Sequence, residues 1–352
     1  MVSESTEDRA ERAGRERRPG GGHADHGDAP IGSAAELLGR ALPDVSHPWV
    51  REDPPLSPLV PHTRALLRRT TRRAGTGSTT VARVLDCALR LVVGLHRAGD
   101  HATALSLAQD ALACGTRLPD PGHPALIAIR QRAGRALYRL GRYEEAEAAH
   151  RRALADATAA FGADAVETLE SCVGLAPVLF WAVDQKAEAV ALSRRAVDGR
   201  TAALGPVHPS TLIARAYLLE FTIGPEPDPV TGPELLKDCR ETLGPAHQIT
   251  LIAELTHGFA LVAGHDQRRA LPLVQGVVAA FEHVLGPDHP RTLAARALLS
   301  RTLGELGLHE EAVAQAELVS ASRARVLGPG HPWTTWSLER LAERRRAGRT
   351  GP

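Results

Sequence analysis

One short phrase recurs along this chain at nearly constant distance, and no other feature restricts its fold as much. Leu285-Gly286-Pro287-Asp288-His289-Pro290 is followed by Leu327-Gly328-Pro329-Gly330-His331-Pro332, with the two histidines 42 residues apart. Leu243-Gly244-Pro245-Ala246-His247 stands another 42 residues earlier, and Leu204-Gly205-Pro206-Val207-His208-Pro209 stands 39 before that. A fainter copy, Phe161-Gly162-Ala163-Asp164-Ala165, puts Ala165 in the histidine's place 43 residues before His208, and His123-Pro124 lies 42 earlier still. A period of about 20–50 residues marks a chain of stacked supersecondary units, each covering its neighbour's apolar face.

Between copies there is room for two helices and a tight turn, clearest in Ala136-Leu137-Tyr138-Arg139-Leu140-Gly141-Arg142-Tyr143-Glu144-Glu145-Ala146. Ala, Leu and Arg dominate and aromatic residues make up only 3%, which favours helices over a sheet. The turn glycine suits a helix C-terminus that must go left-handed, and a small residue five positions later lets two helices cross closely. The pairs are Gly99 with Ala104, Gly141 with Ala146, and Gly307 with Ala312. In the recurring phrase, Gly stops one helix and the second Pro opens the next, with His near the N-cap.

This pattern resembles the tetratricopeptide repeat, in the 42-residue variant of kinesin light chain and of many actinobacterial regulatory proteins. The resemblance runs from about residue 80 to the end and implies an all-α, right-handed α-solenoid of tetratricopeptide-type helix pairs. Residues 79–352 then hold about six repeats plus a terminal helix. The fourth repeat, 208–245, is irregular, since Gly224-Pro225-Glu226-Pro227-Asp228-Pro229 replaces its turn and delays its second helix to near Thr231. Residues 1–32, nearly devoid of apolar side chains, are expected to be disordered. Residues 33–78 read as a lead-in: a short helix over Ser33–Leu42, a proline-rich path, and a basic helix from His62 to Arg73. Glu36-Leu37-Leu38-Gly39-Arg40-Ala41-Leu42-Pro43 and Leu59-Val60-Pro61-His62-Thr63-Arg64-Ala65-Leu66-Leu67 resemble the junction before the repeats of actinobacterial STAND-type signalling ATPases.

No catalytic constellation emerges: there is no Gly-x-Ser-x-Gly elbow and no His-Glu-x-x-His, and Gly75-Thr76-Gly77-Ser78-Thr79-Thr80 lacks the lysine of a phosphate-binding loop. The chain is read as no enzyme. The spaced histidines do not suit a metal, because units one repeat apart lie roughly 10 Å apart whereas zinc ligands sit at about 2 Å from one ion; they are expected to be helix caps. Cys87, Cys114, Cys172 and Cys239 stand alone and inside helices, as buried thiols. Neither metal nor cofactor is expected. A net charge of +1 and the lack of a long apolar run argue against nucleic acid and membrane, and point to the cytoplasm.

The resemblance further implies that the first helix of each repeat lines a concave groove. On this sequence that places Gln131, Arg135, Tyr138, Arg139, Val178, Trp181, Phe259, Arg301, Glu305 and Trp336 at the groove. Aromatic rings beside arginines suit a protein or peptide partner with an apolar anchor and acidic flanks. The Asn residues that grip peptide backbone in kinesin-light-chain-like grooves are absent, because the chain contains no Asn. The expected role is a non-catalytic scaffold or regulatory adaptor. Two alternatives stay open: a detached sensor module working with a STAND-type nucleotide-binding protein, and an enzyme or small-ligand-binding protein built inside the solenoid, which a buried cluster of polar residues in the groove would favour.

Overall fold

The computed structural model describes residues 29–42, 55–73, 75–120, 122–224 and 230–349, and every regular element among them is an α-helix. Six antiparallel pairs follow one another: α3 (Ser78–Arg97) with α4 (His101–Gly115), α5 (Pro124–Arg139) with α6 (Tyr143–Phe161), α7 (Val166–Trp181) with α8 (Lys186–Leu204), α9 (Pro209–Thr222) with α10 (Thr231–Leu243), α11 (Gln248–Ala263) with α12 (Gln267–Leu285), and α13 (Pro290–Glu305) with α14 (His309–Leu327). A single helix, α15 (Pro332–Arg349), ends the stack. The result is a right-handed α-solenoid in which each helix packs mainly on its sequence neighbours.

Two preceding helices, α1 (Ala29–Ala41) and α2 (Leu59–Arg72), cover the open face of the first pair. The first of them begins at Ala29 rather than Ser33, because Ile31 already buries itself in the same core as Val81 and Leu85. That corrects the expected disorder at residues 29–32; the rest of that expectation, residues 1–28, lies outside the described residues. Arg90 on α3 ties the end of α1 down by donating to the Gly39 and Leu42 carbonyls at 2.8 and 2.9 Å.

Four of the six pairs turn the chain left-handed twice, and the first and fourth do so once among the described residues. At the helix turn the positions are Gly99, Gly141, Asp184, His265 and Gly307, with φ between 57° and 86°. In the recurring phrase they are Gly162, Gly205, Gly244, Gly286 and Gly328, with φ between 84° and 93°. Asp184 and His265 hold a conformation that costs an ordinary residue about 1–2 kcal/mol, so their turns are the strained ones. The small residues five positions after the turn are wholly buried where expected, at Ala104, Ala146 and Ala312.

The phrase histidines do cap helices. Nδ1 of His123, His208, His247, His289 and His331 each accepts the backbone N–H two residues on, at 3.1–3.2 Å. A buried threonine closes the same loop from the other side: Thr168, Thr250 and Thr292 donate to the carbonyls of Gly162, Gly244 and Gly286 at 2.7–2.8 Å.

Two of these imidazoles reach further. With Nδ1 accepting, the ring proton sits on Nε2, and His289 donates it to the Arg97 carbonyl at 3.2 Å while His331 donates to the Arg139 carbonyl at 3.2 Å. Both pairs are 192 residues apart. The loops before α13 and α15 therefore sit against the turns after α3 and α5, where a Cβ on Gly141 would lie 2.9 Å from Pro332 and one on Gly99 3.4 Å from His289. Trp333 adds an edge-on contact to Tyr138 with centroids 5.7 Å apart. The solenoid has thus wound through a full turn and touches itself.

Candidate functional site

Closure of the superhelix converts an open groove into three connected spaces along its inner surface. The outermost is a cleft of about 540 Å³ between α7, α11, α13, α14 and α15, with Trp181, Phe259, Leu298 and Trp336 on its walls. A neck of about 180 Å³ follows, bounded by Tyr138, Pro177, Tyr217, Phe221 and Ile252. Beyond it opens a chamber of about 850 Å³ between the inner helices α3, α5, α9, α11 and α13. Trp181, Glu220 and Phe259 border both cleft and neck, whereas Arg135, Arg139 and Arg291 border both neck and chamber.

The cleft is apolar, with Arg301, Arg323, Arg340 and Arg344 at its rim alongside Glu220 and Glu343. Trp181 remains 57% exposed and Trp336 46%, which for indoles on a folded chain leaves planar surface uncovered. Trp336 is flanked on both sides by guanidinium groups, Arg323 at 5.5 Å and Arg340 at 5.9 Å from the ring centre. Burial lowers Arg323 to about 10, so it remains charged at neutral pH. Phe180 stacks on Phe221 at 4.7 Å and meets Trp181 edge-on at 4.9 Å, which fixes the Trp181 side of the cleft.

The chamber is the reverse, a buried polar space. Glu170 on α7 faces Arg132 and Arg135, both at 3.7 Å, and is hydrogen-bonded by the fully buried Arg200 of α8. Its carboxyl is penalised by burial, yet the three guanidiniums outweigh that and hold it at about 2. Arg200 is anchored at its other end by the Ser210 carbonyl at 2.6 Å. Arg291 approaches the Tyr217 hydroxyl at 3.4 Å, and that phenol is lowered because the charges of Arg291, Arg135 and Arg139 outweigh its burial. Burial first, then neighbouring arginines and histidines, lowers His101 and His289 to about 3, so both rings are neutral at pH 7. His150, wedged between Gly134 and Gly174, is likewise held at about 3, chiefly by burial.

The residues expected at the groove separate among these spaces. Trp181, Phe259, Arg301 and Trp336 come together in the cleft. Gln131, Arg135 and Arg139 line the chamber, but Gln131 is committed to the Ser171 hydroxyl at 2.6 Å and the Glu167 carbonyl at 3.3 Å. Tyr138 and Val178 are packed in the core, 9% and 1% exposed, because Trp333 from the next superhelical turn covers the inner face there. Glu305 pairs with Arg301 at 2.7 Å and Gln267 at 2.8 Å at the cleft's edge. Sequence reasoning passed over Arg132, Glu170, Arg200, Tyr217, Arg291 and Arg323. Arg132 was within reach, since Arg132, Arg135 and Arg139 form one stripe at helical spacing. Arg200 joins it through Glu170 of the adjacent repeat, and Arg291 only through the superhelical winding.

Residues 84–159 match a family model described as tetratricopeptide repeat, and residues 168–210 and 292–332 match a second of the same description. Among solved structures, a Rap protein complexed with Competence and Sporulation Factor is similar over 90% of this chain and 88% of its own, at 12% identity and a TM-score of 0.56. Repeats described as kinesin light chain from Podosopora anserina are similar over 68% of this chain and 95% of theirs, at 22% identity and a TM-score of 0.35. BtubC from P. vanneervenii matches over 78% and 94%, at 15% identity and a TM-score of 0.39. No curated protein matches significantly.

Proposed function

The chain is a tetratricopeptide-repeat protein, and from that premise we propose that it is a non-catalytic binding scaffold whose cleft takes one segment of a protein partner. The observation that carries this reading is the pair of exposed indoles, Trp181 and Trp336, facing one 540 Å³ space edged by Arg301, Arg323, Arg340 and Arg344. Such a site fits an apolar anchor between the rings and Asp or Glu to either side. Aromatic and arginine anchors that lose water on binding carry about 2 kcal/mol or more each. A fold of this kind has precedent in binding, since the Rap protein was solved in complex with its factor. Among the described residues no helix is long and apolar enough to cross a membrane.

Fluorescence anisotropy with short peptides tests the reading. Peptides with one Phe or Leu among acidic residues should bind, and the same anchors among lysines should not. W181A/W336A should weaken binding by a factor of about 30 or more while circular dichroism stays helical. Added salt should slow association, because the arginine contribution is screened. A folded double variant that binds such peptides like the wild type would place recognition elsewhere, with the basic surface of α2 next to be examined.

A further inference from the structure

We propose that the inner chamber is a second, independent binding site, for a small organic anion carrying two or more phosphate groups. Six arginines border it: Arg97, Arg132, Arg135, Arg139, Arg200 and Arg291, coming from α3, α5, α8 and α13. Among the described residues, two carboxylates of its lining, Glu167 and Glu170, stand against them, and Glu220 at the neck lies within the field of Arg139 and Arg291. A solvated rim could carry such an excess through water and salt. A half-open space between helices does so less cheaply, because like charges repel more strongly where water is scarcer.

The hydrogen-bonding capacity of the chamber is also left over. Arg132 and Arg135 stand 3.7 Å from Glu170, beyond a direct hydrogen bond, and Nε of both Arg132 and Arg200 is buried without a partner. His101, 5% exposed, faces the chamber with neither ring nitrogen bonded. Buried polar atoms without partners are uncommon in folded proteins, and several around one space imply a missing acceptor. The Arg132 guanidinium is lowered to about 10, first by burial and then by Arg135, and Glu170 offsets only part of this.

Phosphate meets these requirements better than carboxylate. It brings nearly two charges and three acceptors per group, and planar guanidinium forks grip it bidentately. One phosphate leaves the excess uncancelled; two remove it. The volume of about 850 Å³ lies in the usual range for small organic ligands, about 300–1,000 Å³, and Ile127, Ile213 and Ile252 supply an apolar wall for the organic part.

Calorimetric titration of the full chain at constant ionic strength tests the assignment, with inorganic pyrophosphate and ADP as phosphate probes and citrate as the carboxylate probe. Pyrophosphate and ADP should bind saturably and raise the melting temperature, and citrate should bind at least about tenfold more weakly. R132Q/R135Q should lose about tenfold or more in pyrophosphate affinity, and pyrophosphate should raise its melting temperature less than it raises that of the wild type. A128E, which sets a carboxylate on the chamber wall without removing an arginine, should lose binding as well. Absence of saturable binding in the wild type, citrate binding as tightly as pyrophosphate, or undiminished binding by both variants would each overturn the proposal. Peptide binding in the cleft enters none of these readouts, so the two sites stand or fall separately.

Discussion

Cleft and chamber lie end to end on one inner surface, made by equivalent helices of the same repeat, yet one is apolar with charges at its edge and the other is charged with apolar walls. The repeat determines which helix faces inward. What the helix presents there is free to differ, because inward positions on successive units contact the interior space rather than each other. In α5 that freedom is used for Arg132, Arg135 and Arg139, and in α13 and α15 for Ala294, Ala297 and Trp336. The fold therefore specifies a container, and the inward side chains specify its contents.

Acid should break the chamber side most severely. His101 and His289 of the chamber and His150 of the neck have folded values near 3, below the ordinary 6.5. Between about pH 6.5 and 3 the unfolded chain binds more protons, so stability that is full above 6.5 drains away as pH falls. Glu170, held at about 2, adds to the same trend below its ordinary 4.5. Circular dichroism should show cooperative unfolding before pH 3, and a chain still helical there would refute the buried, uncharged state of these rings.

Removing the chamber's central carboxylate ranks next. E170Q leaves Arg132, Arg135 and Arg200 with no shared partner and should cost about 3 kcal/mol, measured by urea unfolding at low salt. Multivalent anions should restore part of that loss. Exchanging an exposed cleft residue, W336A alone, should stay within about 0.5 kcal/mol in the same assay.

The packing between the two sites can be tested through its glycines. A Cβ on Gly134 or Gly174 would come within 2.7 Å of the His150 ring, and both neighbours of that ring are backbone. G134A and G174A should each cost about 1–3 kcal/mol, with the neck deformed and the outer cleft unaffected. Equal melting temperatures in both would mean that His150 swings out of its slot.

A smaller loss than in the packing variants concerns the clasps between superhelical turns. Asn in place of His289 or His331 keeps a capping acceptor but gives up the Nε2 bond to the opposite turn, at about 1 kcal/mol. H208N is the reference, since His208 makes the capping bond alone. If all three variants melt alike, the turn-to-turn bonds add nothing.

How much of this was legible depended on the range of the interaction involved. The helix pairs, their caps and the late start of α10 at Thr231 follow from local signals: a glycine that must be left-handed, a proline that suits a first turn, a histidine at one phase. Asp184 and His265 at turn positions show that even the exceptions kept the backbone geometry. Cleft residues were partly readable, because Trp181 and Trp336 sit on inward positions of their own helices. The chamber was not, because Arg200 joins the α5 stripe through Glu170 of the next repeat, and Arg291 joins it only once the array has wound through a full turn. Tyr138 is the mirror case: its own helix presents it inward, and Trp333 from the next turn buries it.

That self-contact limits how such an array can grow. Repeat proteins commonly lengthen by duplicating a unit, and an open spiral tolerates the extra copy anywhere. Here a copy inserted between α5 and α13 would shift every later loop by one unit relative to the turns it faces. The loop carrying Arg291 would then arrive where Trp333 now rests on Tyr138, and a guanidinium would be pushed towards Arg139 in place of an indole lying 5.5 Å from it. An addition beyond α15 leaves these contacts in register, so this array can be extended in its descendants past its last helix but not in its middle.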